Sequence, residues 1–172
     1  MSEGRTVQAW GMFTIRPANA ADRDAVWSII GPMIRAGDTY TLPAEMSRED
    51  ALGYWFADGH EVFVAEDGSE AVGTYYLRAN QRGGGSHVAN CGYATAAAAT
   101  GRGVARAMCA HSLEHARGRG FTAMQFNFVV STNERAVKLW RSFGFEIVGR
   151  LPGAFRHPRA GFVDAYVMYR EL

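Results

Sequence analysis

The sequence predicts a single α/β domain built on a mixed sheet. Two observations carry that expectation. Strand-like and helical patterns alternate through the second half of the chain, as they do where helices pack on a sheet. The composition is globular: 172 residues, 48% hydrophobic and 20% charged, enough for one sizeable core.

The elements follow in order. The opening "MSEGRTVQAWGM" lacks an apolar signal core, so residues 1–11 read as a disordered polar leader and 12–172 as the domain. "FTIRPA" is a short strand ended by Pro17. "NAADRDAVWSIIGPMIRAG" is a helix with Asn19 as N-cap and Ala25, Ile29, Met33 and Ile34 at helical spacing. Gly31-Pro32 should kink or split it. "DTYTLPAEM" is a loop, and "SREDALGYWFAD" is a second helix in which Ser47 and Asp50 resemble a capping box.

"HEVFVAED" and "EAVGTYYLRAN" form a hairpin about Gly68, and "QRGGGS" turns the chain into the strand "HVANCGYAT". A helix follows to about Arg117. "FTAMQFNFVV" is a strand, "TNERAVKLWRSF" a helix stopped by Gly144, and "FEIVGRL" and "FVDAYVMYREL" are the last strands.

A net charge of +1 provides no global field for nucleic acid or an anionic membrane. No apolar run approaches the roughly 20 residues of a membrane span. Cys91 and Cys109 lack metal-ligand spacing, no other metal set is evident, and reduced thiols in the cytoplasm are the expectation.

The most informative stretch is "AAAATGRGVARAM". Two glycines at a helix mouth let a backbone approach a phosphate, and free N–H groups with the helix dipole attract it. Arg102 and Arg106 would add charge-assisted contacts. The nucleotide-hydrolase loop needs Gly-Lys-Ser/Thr, which is absent, and the dinucleotide fingerprint would need glycine at Arg106.

This stretch resembles the acyl-CoA pyrophosphate loop of the GCN5-related N-acetyltransferase (GNAT) superfamily, Gln/Arg-x-x-Gly-x-Gly/Ala, through Gly103-Val104-Ala105. Thr100 departs from its first position, and Ala97 stands where many members carry proline. "NERAVKLWRSFGFEIVGR" is similar to a second family segment through Asn133, Ala136, Leu139, Gly144 and Phe145. The two motifs occur in order, with the right elements between them. The resemblance implies an α/β (α+β) fold: a mixed, mostly antiparallel sheet of six to seven strands with splayed middle strands, flanked by about four helices.

It also implies a site. Acetyl-CoA would insert its pantetheine arm between Ala89–Thr95 and Met124–Val130, pairing with the main chain around Tyr93, Ala94 and Thr95. An N–H near Cys91 or Gly92 would polarise the thioester carbonyl. Thr100, Gly101, Arg102, Gly103, Val104, Ala105 and Arg106 would cradle the pyrophosphate, with Asn133 and Trp140 along the arm. Trp140 replaces a tyrosine that protonates the leaving thiolate in many members; indole cannot do so. Tyr166 and Tyr93 are the alternative acids, and His87 is the candidate base. Glu114 and His115 read as surface residues.

In strand alternation Asn127 shares a face with Gln125, and a buried amide needs partners. It either ties down backbone or touches substrate, and Asn90 poses the same question. The set is most similar to the fungal azetidine-2-carboxylate N-acetyltransferases, which detoxify proline analogues. That resemblance implies that Asn90 holds the acceptor carboxylate while Asn127 and Asn133 hold acetyl-CoA. Phosphinothricin-type acetyltransferases are a near alternative, as is a non-catalytic acyl-CoA binder. Asp38, Tyr40 and Trp55 are the candidate acceptor wall, with "LPGAFRHPRAGF", carrying Arg156 and Arg159, closing the other side. A small-molecule amine is the implied partner, and a homodimer the implied assembly.

Overall fold

The computed structural model describes residues 8–172. Eight strands form one sheet: β1 (Gln8–Trp10), β2 (Phe13–Pro17), β3 (Glu61–Asp67), β4 (Glu70–Ala79), β5 (Val88–Thr95), β6 (Ala123–Val130), β7 (Glu146–His157) and β8 (Gly161–Glu171). Their order is β1-β2-β3-β4-β5-β6-β8-β7, and only β5 and β6 are parallel neighbours. Four helices complete the fold: α1 (Arg23–Ala36), α2 (Arg48–Trp55), α3 (Val104–Gly118) and α4 (Glu134–Ser142).

The mixed, mostly antiparallel sheet with four helices is the expected architecture. Its extra strand is β1, which pairs Gln8–Trp10 with Phe13–Ile15. Part of the expected leader, Gln8–Trp10, is therefore a strand, while its residues 1–7 lie outside the described residues.

Each face of the sheet has its own core. α1 and α2 bury Val26, Ile30, Ile34, Leu52 and Trp55 against Val62, Val64 and Tyr76. α3 buries Met108, Cys109 and Leu113 against Phe63, Tyr75, Leu77 and Met124, and Trp140 of α4 joins that cluster. Removing such apolar area from water, at about 25 cal/mol per Å², is the main drive holding the helices on the sheet.

Several local readings need correction. Gly31-Pro32 does not split α1, which runs unbroken through Pro32. Asn19 caps as expected, but a 3₁₀ turn at Ala20–Asp22 comes first, with Asn19 and Asp22 forming a capping box. At α4 the N-cap is Asn133, whose side chain accepts from Ala136 N. The stretch expected as the loop "LPGAFRHPRAGF" is mostly strand. β7 continues to His157 and pairs Phe155–His157 with Gly161–Val163, accommodating Pro152 through a register shift.

Candidate active site

The cleft begins where β5 and β6 part. They pair only at Val88↔Ala123 and Ala89↔Met124. Asn90, the next residue of β5, donates from Nδ2 to Gln125 O at 2.9 Å and bridges the fork. Beyond it the strands diverge into a cleft of about 900 Å³ lined by β4, β5, β6, the α1–α2 loop, α2, and the starts of α3 and α4.

One edge of β5 faces this cleft. Asn80 N donates to Val88 O and Ala96 N to Val72 O, each at 2.8 Å, so the even-numbered residues of β5 aim their main-chain groups at β4. The alternation turns those of Cys91, Tyr93 and Thr95 toward the cleft. Ala94, expected among the pairing residues, lines the cleft but sends its main-chain groups to β4. Tyr40 lines the cleft too and donates from its hydroxyl to Tyr93 O at 3.1 Å.

The far end of the cleft is the N-terminus of α3. Its cap is Gly103, at φ 91°, and no side chain caps the helix. A cap side chain would occupy the space over the first turn. The first helical bond is Ala107 N to Gly103 O, so the N–H groups of Val104, Ala105 and Arg106 have no partner among the described residues. Gly101, at φ 83°, makes the preceding turn, and a Cβ on Gly103 would meet nothing within 4 Å. Arg106, Arg135 and Lys138 line this end. The arrangement suits the pyrophosphate of acyl-CoA: unpaired donors, positive dipole and open space.

Arg102 is a correction. Its guanidinium pairs with Asp67 at the end of β3, and it is absent from the cleft lining. The two left-handed glycines on either side give the loop a shape that sends Arg102 to the β3–β4 hairpin.

Asn127 sits in a chain of amides. Gln125 Nε2 donates to Asn127 Oδ1 at 2.9 Å, and Asn127 Nδ2 donates to Asn80 Oδ1 at 2.6 Å. Asn127 still lines the cleft, with Asn90 and Asn133. The register of β6 against β8 shifts between Phe126 and Val129, so Asn127 lies at an irregularity beside the fork. Trp140 lines the cleft 8% exposed, its ring 4.9 Å from Tyr93 and 5.0 Å from Phe126.

The residues expected as the acceptor wall fall in different places. Tyr40 is in place. Trp55 is fully buried beneath the cleft, donating from Nε1 to Thr74 Oγ1, because its ring fills the core between α2 and the sheet. Asp38 is outside the lining, where Thr39 and Thr41 stand instead. Arg156 lies over the exposed Phe162, and neither it nor Arg159 reaches the cleft.

The acid and base candidates also move. The Tyr93 hydroxyl bonds Ser112 Oγ at 2.7 Å on the α3 side, so only its main chain serves the cleft. Tyr166 and the exposed His87 are absent from the lining. His115 pairs with Glu61 at 2.8 Å away from the cleft, and Glu114 is exposed. Cys91 is the thiol in the lining, and burial pushes it up to about 12, which leaves it protonated and poorly nucleophilic.

Sequence reasoning missed Tyr54, Tyr76 and Arg78. Tyr76 and Arg78 share a face of β4 opposite Gly92 and Asn90. Tyr54 and Tyr76 hydroxyls are 3.1 Å apart. Tyr76 closes over Gly92 so tightly that a Cβ there would lie 2.5 Å from its ring. Strand alternation through "TYYLRAN" was the signal that could have found Tyr76 and Arg78.

A family model described as the acetyltransferase (GNAT) family matches residues 29–145. The chain belongs to the GNAT family. It is thus a GNAT acetyltransferase. It is 24% identical to the N-acetyltransferase aca1 of Schizosaccharomyces pombe over 92% of this chain and 86% of that protein. A GCN5-related N-acetyltransferase structure from Kribbella flavida is 39% identical, covers 94% of this chain and 98% of its own, and superposes with a TM-score of 0.89. A phosphinothricin acetyltransferase from Sinorhizobium meliloti, solved in complex with acetyl-CoA, shares the fold: TM-score 0.82 at 20% identity, covering 94% of this chain and 89% of its own. No cluster of three or more His, Cys, Asp or Glu side chains fit to hold a metal occurs among the described residues. No helix among them is long and apolar enough to cross a membrane.

Proposed function

We propose that this GNAT protein transfers the acetyl group of acetyl-CoA to the amine of a small amino-acid-like acceptor, with proline analogues such as azetidine-2-carboxylate the favoured class. The observation that carries the reading is the cleft itself. An open β5 edge leads from the fork to an uncapped helix N-terminus carrying unpaired N–H groups. The arm of acetyl-CoA would pair with Cys91, Tyr93 and Thr95, and its pyrophosphate would rest on Val104, Ala105 and Arg106.

Transfer is direct. The amine nitrogen attacks the thioester carbon, the oxyanion takes the Cys91 N–H, the C–S bond breaks, and the thiolate leaves. Cys91, protonated and buried, supports this over an acyl-enzyme route. No histidine or carboxylate lines the cleft among the described residues, so the ammonium proton passes to water. Asn127, held by Gln125 and Asn80, would contact the thioester, and Asn133 the pantetheine amides; that both line the cleft supports these roles.

The test is a mass-spectrometric screen with acetyl-CoA over azetidine-2-carboxylate, proline analogues, phosphinothricin and a lysine peptide. Acetylation of a small imino or amino acid supports the proposal. Acetyl-CoA binding without product from any amine would favour a non-catalytic binder.

A further inference from the structure

The charge of the cleft narrows the acceptor beyond its size. None of the residues that line it among those described is an aspartate or glutamate. Its cations are Arg78, Arg106, Arg135 and Lys138. Three of them belong to α3 and α4, at the end where the unpaired helix N–H groups lie. Arg78 stands apart on β4, directly across from Asn90 at the fork.

The four cations meet different surroundings. Arg106 is engaged with Ser142 and the Phe143 ring. The Arg78 guanidinium makes no hydrogen bond or ion pair with any described residue, although Arg78 is partly buried. Arg78 is also the wall shared by the main cleft and a second, smaller pocket lined by Asp58, His60, Asn80 and Arg82. A guanidinium that lines two pockets without a carboxylate partner, in a cleft that also carries the paired hydroxyls of Tyr54 and Tyr76, is chemically matched to an oxyacid. Asn90 is less suited to binding an anion, because its Nδ2 already donates to Gln125 O and an amide carries no charge.

We propose that Arg78 is the specificity-determining anchor of the acceptor, binding a carboxylate or phosphinate group on the same small molecule whose amine is acetylated. The inference rests on the acetyl-transfer reading above and deepens it. The acid group is required for recognition, so an amine without one is a poor acceptor. A polyamine or lysine side chain finds no carboxylate to meet its charge and is repelled by Arg78. Burial keeps the Tyr76 phenol well above its ordinary range, so it is a neutral donor beside the anion.

The test compares azetidine-2-carboxylate, its carboxamide and azetidine in the wild-type protein and in R78Q and R78K, with acetyl-CoA affinity measured separately by calorimetry. The wild type is expected to favour the acid over the carboxamide by about 10- to 100-fold in kcat/KM, the range of one charge-assisted pair. R78Q should lose that preference chiefly through the KM of the acid, with the carboxamide affected far less than the acid, and R78K should recover part of it. An R78Q protein that keeps the wild-type acid preference overturns the assignment. So does a wild type that acetylates acid and carboxamide equally, which leaves the acetyl-transfer reading standing. Acetyl-CoA binding with no turnover of any of the three overturns both.

Discussion

Asn90 Nδ2 and Gln125 O are 2.9 Å apart, one residue past the last paired position of β5 and β6. This bond sits where the sheet stops being a sheet and the cleft starts. Asn90 is 6% exposed, so Gln125 O depends on it. Asn90→Ala should cost about 1–3 kcal/mol of stability, the penalty of a buried carbonyl left unsatisfied. It should also lower kcat/KM in a protein that remains folded. Denaturant unfolding and steady-state kinetics check both parts; unchanged stability would mean that the fork is held elsewhere.

Asn127 and Asn80 should behave as a pair. Asn127→Ala should reduce turnover by about 10- to 100-fold if its amide meets the thioester. Asn80→Ala should reduce it less, because Asn80 acts only by orienting Asn127 through their 2.6 Å bond. Near-normal turnover in folded Asn127→Ala would remove the thioester contact from the proposal.

Gly103→Val tests the phosphate cradle. A Cβ there would meet no atom of the chain within 4 Å, so the valine would project into the space proposed for the pyrophosphate. Acetyl-CoA affinity, read by calorimetry, should fall by at least about tenfold. The φ of 91° adds a stability cost of order 1–3 kcal/mol. Unchanged affinity would move the phosphate elsewhere.

Tyr93→Phe should leave turnover within a few fold of wild type. Its hydroxyl lies against Ser112 and its main chain alone faces the cleft. A large loss of kcat with acetyl-CoA affinity preserved would restore Tyr93 as the acid that protonates the thiolate.

His111 makes stability depend on pH. Burial, with a smaller contribution from His115, lowers its imidazole from 6.5 to about 4, and its Nδ1 faces the Tyr75 hydroxyl at 2.6 Å. The unfolded chain therefore binds more protons between those values, so stability falls as pH drops from about 6.5 toward 4. Denaturant midpoints of wild type and His111→Gln across that window should show a shallower fall in the variant. Parallel curves would assign the acid sensitivity to other groups.

The family-level features of this protein are written locally in its chain. Helical spacing, strand runs and glycine stops mark the alternating elements, because these patterns are local. The Gly101–Gly103 loop and the Asn133–Phe145 segment were legible for the same reason: each is contiguous in the chain. Contacts between distant segments set the rest. Trp55 became core and Arg102 joined Asp67, 35 positions away in sequence. The loop after Leu151 became strand once β8 offered it hydrogen-bond partners. Tyr76 and Arg78 entered the cleft because β4 pairs with β5 in one register, opposite Gly92 and Asn90. Side-chain identity fixes what a residue can do; strand register and packing fix what it faces, and those depend on segments far apart in the chain.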